Sequence, residues 1–445
     1  MNQIDLLQQF DNARFGKFHL ALAALTGSCW LLAAYGVTII GFLLPALRTE
    51  WQVSASELGL VASAGMLGML IGSVLAGTLS DRLGRRNTLS WTLLYLGLVF
   101  GLSAAAWNYQ ALLILRLLTG VGLGAILPVS STLISEFSPT RNRGALSVVM
   151  NACWGLGGTL AALAGYSLVL KFGWRPAMFI GSVSLLISPL VRFLLPESVR
   201  FLLSKGRIEQ AQKEFARLHL QPAGPALPSL SPNSPAPAGA DLKKTGIWSG
   251  AYGRITFSLW LMWIALNFLY QGAFIWLPTL LASAETSESH SFLMTLIISL
   301  GQLPGTLMIA FLVDRFSRRK LIILSLGLLS IVAFLFGLSQ GDAWVLIMGF
   351  LLMVFNGMAW GIAYPFSAEL YPTRMRGKAT GWANGIGRMG GVIAPLAVGW
   401  VVQAGGSLGQ VFGMLACAPF LTALVLSSIK IETTARSLEE ISSHS

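Results

Sequence analysis

Long apolar stretches separated by short polar breaks dominate this chain, and each is long enough to cross about 30 Å of hydrocarbon as a helix of roughly 20 residues. They lie at 21–47, 57–80, 88–107, 111–135, 144–170, 174–195, 254–282, 290–313, 321–339, 342–368, 377–404 and 408–429. The pattern predicts an all-α membrane protein with twelve transmembrane helices, six on each side of a polar segment at 196–253. Inside that segment SKGRIEQAQKEFARL (204–218) has the apolar spacing of an amphipathic helix with basic residues, suited to lie along a membrane face. It is followed by QPAGPALPSLSPNSPAPAGA (221–240), which has no charge and no apolar period and predicts a semi-extended linker. The expected division is a first bundle at 1–195, the linker at 196–253, a second bundle at 254–429 and a tail at 430–445.

Composition agrees: 54% of the residues are hydrophobic and 11% charged, against about a quarter charged in a soluble domain. The formal charge of +12 would suggest nucleic acid in a soluble protein. Here 25 of the 30 Lys and Arg residues fall on one side of the predicted topology, three (Arg48, Lys171 and Arg175) on the other, and Arg116 and Arg388 within spans. By the positive-inside rule both termini are expected in the cytoplasm, of a bacterial inner membrane. The basic balance therefore reports topology, and a nucleic-acid partner is not expected. The first apolar run is too long for a signal-peptide core and follows a segment holding Asp5 and Asp11, so the first helix is expected to stay. Cys29, Cys153 and Cys417 lie in apolar spans with no disulfide or zinc spacing, and the four histidines stand near span ends or outside them.

One shift of 233 residues superimposes separate landmarks of the two halves. Asp81-Arg82 maps onto Asp314-Arg315, Arg85-Arg86 onto Arg318-Arg319, and EFSPTRNRG (136–144) onto ELYPTRMRG (369–377). The same shift carries Trp30 to Trp263, Pro45 to Pro278, Gly72 to Gly305, Gly124 to Gly357 and Asn151 to Asn384. Two pseudo-symmetric six-helix bundles are expected, with a binding site near the midplane between them that opens alternately to each side.

The motifs carry a resemblance. GTLSDRLGRR (77–86), between the second and third spans, resembles the signature loop of the major facilitator superfamily; its twin AFLVDRFSRRK (310–320) has Ala310 and Ser317 at the glycine positions. EFSPTRNRG, ELYPTRMRG and PESVRFLLSKGR (196–207) are similar to motifs of its sugar-porter branch, and IETTARSLEEI (431–441) to that branch's closing motif with its first proline and Lys-Gly pair replaced. The resemblance implies the superfamily fold and a cytoplasmic charge network of Asp81, Arg85, Arg86, Glu136 and Arg143 in one half and Asp314, Arg318, Arg319, Glu369 and Arg376 in the other. RLLTGVGLGA resembles the branch's fourth-helix arginine motif, which implies a coupling role for Arg116; a snorkelling arginine is the competing reading at that depth. The fifth span lacks the Gly-Pro step of drug-exporting antiporters, which points to uptake.

Arg388 lies about eleven residues into the eleventh span, roughly 16 Å deep at the helical rise, where a charge costs about 2.5–3.5 kcal/mol. No Asp or Glu stands at comparable depth in any span. A substrate carboxylate, which arginine binds bidentately, answers that need; backbone carbonyls, Asn384 and water are the alternative. Asn356, Trp360 and Tyr364 share one face of the tenth span, Asn267, Gln271 and Phe274 one of the seventh, and Asn384 stands a turn from Arg388. Gln302 on the eighth span, Asn151 and Trp154 on the fifth and Tyr35 on the first complete the candidate cavity. RMGGVIAP (388–395) resembles organic-anion carriers and bacterial niacin and aromatic-acid uptake proteins, which implies a flat carboxylate such as nicotinate as substrate. Helix one lacks the acids common in proton symporters of that kind, so coupled protons would travel on the substrate or through Asp81 and Glu136. The expectation is a monomeric secondary transporter with no cofactor; a sugar or polyol porter, a facilitative organic-ion uniporter and a non-transporting membrane sensor remain as alternatives. No acid, histidine and nucleophile constellation stands at membrane depth to support an enzyme.

Overall fold

The computed structural model describes residues 14–139, 143–218, 247–248, 252–282, 287–313, 315–371 and 373–428, and these contain helices and no strands. Twelve helices are long and apolar enough to span a membrane. In the first half they are α1 (Lys17–Trp51), α2 (Ala55–Leu83), α3 (Arg85–Ala104), α4 (Tyr109–Phe137), α5 (Arg143–Ala164, running on through a π-helical turn to Phe172) and α6 (Trp174–Leu194). In the second half they are α7 (Tyr252–Ala282), α8 (Glu288–Leu312), α9 (Arg318–Gly337), α10 (Asp342–Glu369), α11 (Thr373–Gln403) and α12 (Leu408–Ser428). Between α6 and α7 lie two short helices, Val199–Ser204 within the PESVRFLLSKGR motif and Ile208–Arg217 within the amphipathic segment. The linker 221–240, the tail 430–445 and Asp314 lie outside the described residues, as do the side chains of Arg143 and Arg376.

Local chemistry sets the ends. Ser54 caps α2 reciprocally with Glu57: the Ser54 amide donates to the Glu57 carboxylate at 2.7 Å and the Glu57 amide to the Ser54 hydroxyl at 3.3 Å. Asn108 accepts from the Ala111 amide at 2.8 Å to begin α4. The turn between α2 and α3 passes through Gly84 at φ +94°, a conformation that L side chains rarely adopt.

Packing inside each half is made by glycine meeting backbone, and the 233-residue offset reappears in it. A Cβ built on Gly72 of α2 would lie 2.0 Å from the Val121 carbonyl oxygen of α4, and one on Gly305 of α8 would lie 2.0 Å from that of Val354 on α10. Gly124 stands the same way against the Met69 carbonyl and Gly357 against that of Gln302, at 2.1 and 2.6 Å. Gly157 of α5 meets Leu31 of α1, and Gly390 of α11 meets Ile264 of α7, each at 2.2 Å. In every case both glycine and carbonyl are offset twins. Close backbone approach of this kind is what holds helices together where lipid removes the hydrophobic drive.

The halves touch at the end where α2 begins and α11 finishes. The Ser56 amide donates to the Gln403 side chain at 3.1 Å, the Ser63 hydroxyl to the Val392 carbonyl at 2.7 Å, and a Cβ on Gly59 would meet the Pro395 carbonyl at 2.7 Å. Gly41 of α1 approaches Ile275 of α7 as closely, with 2.6 Å from a built Cβ to the carbonyl.

Replacing Gly305 by Ala is expected to cost about 1–3 kcal/mol, as overpacking does. Gly413→Ala, where an added Cβ meets nothing within 4 Å, is expected to be neutral or stabilising by up to ~1 kcal/mol. Thermal unfolding of the purified variants checks this, and equal melting temperatures for the two would contradict the backbone contact.

Candidate functional site

Between that seam and the end where α1 begins, the halves part around a cavity of about 530 Å³, a size that suits a small ligand. Its lining pairs up by the same offset: Trp30 with Trp263, Met69 with Gln302, Ser73 with Thr306, Leu127 with Trp360, Ser131 with Tyr364 and Asn151 with Asn384. The frame is symmetric and the chemistry is not. Where α4 presents Leu127 and Ser131, α10 presents Trp360 and Tyr364; Arg388, which also lines the cavity, corresponds to Gly155.

Arg388 is held between the halves. From α11 its Nη1 donates to the Met69 carbonyl of α2 at 3.0 Å, its one hydrogen bond among the described residues. The backbone-carbonyl alternative is thus realised for one of the five N–H donors of the guanidinium. Tyr364 faces both Arg388 and the Asn384 side chain. Among the described lining residues, Arg388 alone carries a formal charge.

Aromatic rings build the walls. Trp263 meets Trp360 edge to face at 5.6 Å between centroids and Tyr364 at 4.8 Å, Tyr270 meets Trp360 at 6.1 Å, and Trp30 meets Trp154 at 6.2 Å. The Trp263 indole is fixed by donating to the Ser367 hydroxyl at 3.0 Å, and Asn267 donates back to the Trp263 carbonyl at 2.8 Å. Three buried polar atoms on lining residues, Trp30 Nε1, Trp360 Nε1 and Gln271 Oε1, have no hydrogen-bond partner among the described residues. These atoms are closed off from the cavity space, so the polar group it offers a ligand most plainly is the Arg388 cation.

Of the side chains that the sequence analysis singled out, Arg388, Asn384, Trp360, Tyr364, Gln271, Asn267, Gln302, Trp154 and Asn151 all line this cavity. Tyr35 and Asn356 do not. The Tyr35 hydroxyl donates to the Ala177 carbonyl of α6 at 2.6 Å, locking α1 to its own half. Asn356 is fully buried away from the cavity, with neither side-chain atom bonded. Phe274 stacks on Tyr270 at 5.2 Å without lining the cavity. Trp30, Trp263 and Tyr270 were missed, although Trp263, Asn267 and Tyr270 fall at helical spacing on one face of α7.

At the end where α1 begins, Arg85 bridges Asp81 at 3.1 Å and Glu136 at 3.4 Å, and Glu136 also accepts from the Ser198 hydroxyl. In the second half Arg318 pairs with Glu369. Arg86 and Arg319 depart from the expected network. Arg86 donates its backbone amide to Glu197 at 3.1 Å, and Arg319 donates to the Ser427 carbonyl of α12 at 2.7 Å. Glu197, buried after α6 and accepting also from the Ser198 amide at 3.0 Å, is the member that sequence reading passed over, though it is the acid of the PESVR motif. Arg116 stands at neither the gate nor the cavity. It is buried within the first half, where its Nη1 donates to the Gly36 carbonyl at 3.2 Å and a Cβ on Gly65 would lie 2.8 Å from Nη2.

Residues 13–444 match the sequence family described as sugar (and other) transporter. The chain is similar to the niacin transporter NiaP of Acinetobacter baylyi, 35% identical over 438 residues, covering 98% of this chain and 100% of that protein. It is also similar to the putative niacin/nicotinamide transporter NiaP of Bacillus subtilis, 31% identical over 420 residues, covering 94% and 97%. In fold it resembles the partially occluded inward open conformation of the xylose transporter XylE from E. coli, at a TM-score of 0.73 and 20% identity, covering 95% of this chain and 100% of that one.

With the native cysteines replaced, a cysteine at Thr380, in the cavity wall, is expected to react readily with a water-soluble maleimide. One at Ser63, buried in the seam against Val392, is expected to be protected. Mass spectrometry of the labelled proteins checks this; comparable labelling of both positions would contradict a cavity closed on the seam side.

Proposed function

We propose that this chain, which belongs to the sugar (and other) transporter family of the major facilitator superfamily, takes up a small aromatic monocarboxylate of the nicotinate type by alternating access. It is a multi-pass membrane transporter and not an enzyme. The observation that carries the reading is the Arg388 guanidinium, in the cavity wall with one carbonyl partner and no facing acid. A carboxylate fits that fork in the planar, bidentate geometry arginine favours, and a flat ring fits between the Trp360 and Tyr364 wall and Trp154. The identity to niacin transporters along nearly the whole chain supports the same substrate class.

In this reading both termini are cytoplasmic, by the distribution of Lys and Arg, in a bacterial inner membrane, and the chain acts as a monomer. The conformation is then inward-facing, since the seam of α2 with α11 closes the opposite end. A sugar is a poorer fit in this reading, because the lining sets a cation and four indoles among its amides, and a neutral sugar leaves that charge unanswered. No acid is among the described lining residues, and Asp81 and Glu136 are already engaged by Arg85. A symported proton would therefore ride on the substrate.

Arg388→Lys is expected to lower nicotinate uptake about tenfold or more, the scale of a charge-assisted hydrogen bond worth ~1.5–3 kcal/mol, with normal membrane insertion. Radiolabelled uptake in cells and a thermal-shift titration of the purified protein with nicotinate measure it; unchanged transport and binding in this variant would sink the anion site.

A further inference from the structure

Where α2 gives way to α3 and α6 comes to its end, two arginines converge on one uncharged oxygen. The Asn87 side chain, in the first turn of α3, donates to the Leu83 carbonyl at 3.0 Å, which leaves its Oδ1 to act as acceptor. That oxygen accepts from Arg86 Nη2 at 3.5 Å and from Arg192 Nη1 of α6. Among the described residues it is the one acceptor that either guanidinium finds, and Arg86 Nε is buried without a partner. One turn deeper, Ser90 and Ser188 bond hydroxyl to carbonyl in both directions, at 3.2 and 2.8 Å, so α3 and α6 hold the arginines at a fixed separation.

No carboxylate among the described residues bonds to either guanidinium. Asp81 and Glu136 are held by Arg85, and Glu197 is buried and accepts the backbone amides of Arg86 and Ser198. Two like charges aimed at one amide oxygen leave room for an anion. The surroundings say which kind: Phe193 and Leu194, directly after Arg192, are 78% and 58% exposed, and Leu83 and Leu190 are exposed as well. On spanning helices such side chains meet acyl chains, so the arginines stand where headgroups begin.

The 233-residue offset supplies an internal comparison. Asn87 corresponds to Lys320 and Arg192 to Val425, while Arg319, the twin of Arg86, reaches the Ser427 carbonyl instead. The feature belongs to the first half alone, and none of its three residues lines the cavity.

We propose that Arg86, Asn87 and Arg192 form a headgroup site for an anionic phospholipid, its phosphate clasped between the two guanidiniums and its acyl chains lying along Leu190 and Phe193. The unesterified oxygens of a phosphodiester match two guanidinium forks, and basic groups at span ends hold lipids of this charge. The ammonium of a zwitterionic lipid would be set against two cations. A free phosphate ion would use the same forks without the apolar contacts.

The full-length protein, in neutral detergent and phosphate-free buffer, is titrated with phosphatidylglycerol, with phosphatidylcholine of the same acyl chains, and with inorganic phosphate. Thermal shift and native mass spectrometry of bound lipid follow binding. Phosphatidylglycerol is expected to bind about tenfold or more tightly than phosphatidylcholine, the scale of a charge-assisted hydrogen bond, and Arg192→Gln to lose that margin. Asn87→Asp, which sets a carboxylate between the guanidiniums, is expected to lose it too, and Arg319→Gln to keep it. Equal binding of the two lipids by the unsubstituted protein, a preference that survives Arg192→Gln or Asn87→Asp, or an equal loss in Arg319→Gln overturns the site. Inorganic phosphate that stabilises the protein as strongly as phosphatidylglycerol overturns the assignment to lipid.

Discussion

A guanidinium at hydrocarbon depth with a single protein acceptor constrains everything placed around it. Arg388 cannot reach either membrane surface, so its solvation must come from the cavity, from Met69 or from what enters. That requirement explains why the wall near it is polar at Asn384, Asn267 and Gln271 and aromatic beyond, where Trp360, Trp263 and Tyr270 exclude water and offer flat faces. It also places this cation on the boundary between the halves, where α11 reaches α2.

The second feature is the contrast between frame and filling. The pairs α2–α4 and α1–α5 of the first half have twins in α8–α10 and α7–α11 of the second, and the twins touch through the same backbone positions. The cavity inherits paired positions but not paired residues: the second half supplies the cation and most of the aromatic wall, while the first supplies Leu127, Ser131 and Met69. Below them the N-terminal half is braced by Glu197 and Ser198, which tie the turn between α2 and α3 to the end of α4 through Arg86 and Glu136.

Much of this was legible in the sequence. Apolar length located all twelve spans to within a few residues, because hydrocarbon thickness leaves helix length little freedom. A buried charge without a partner at its depth marked Arg388. Helical spacing was a weaker guide, since it groups residues on a face without saying what that face meets. Asn356 sits only a turn before Trp360 yet points into the packed interior, and Tyr35 turns to α6 instead of the cavity. The same limit hid Trp30, Trp263 and Tyr270, which read as packing until the neighbouring helices are in place. Arg116, whose motif implies a coupling role, is buried in the first half and donates to a carbonyl on α1.

The glycine register has one more consequence, for descent. Contacts made between a missing side chain and a neighbour's backbone carbonyl use no side chain, so residues such as Trp360 or Gln302 can be exchanged without removing the atoms through which the helices of one half lean on one another. Substitutions of lining side chains and substitutions of the packed glycines therefore fall on different positions. A lineage built this way can drift from one nutrient to another through viable intermediates, keeping its hinge while its appetite changes.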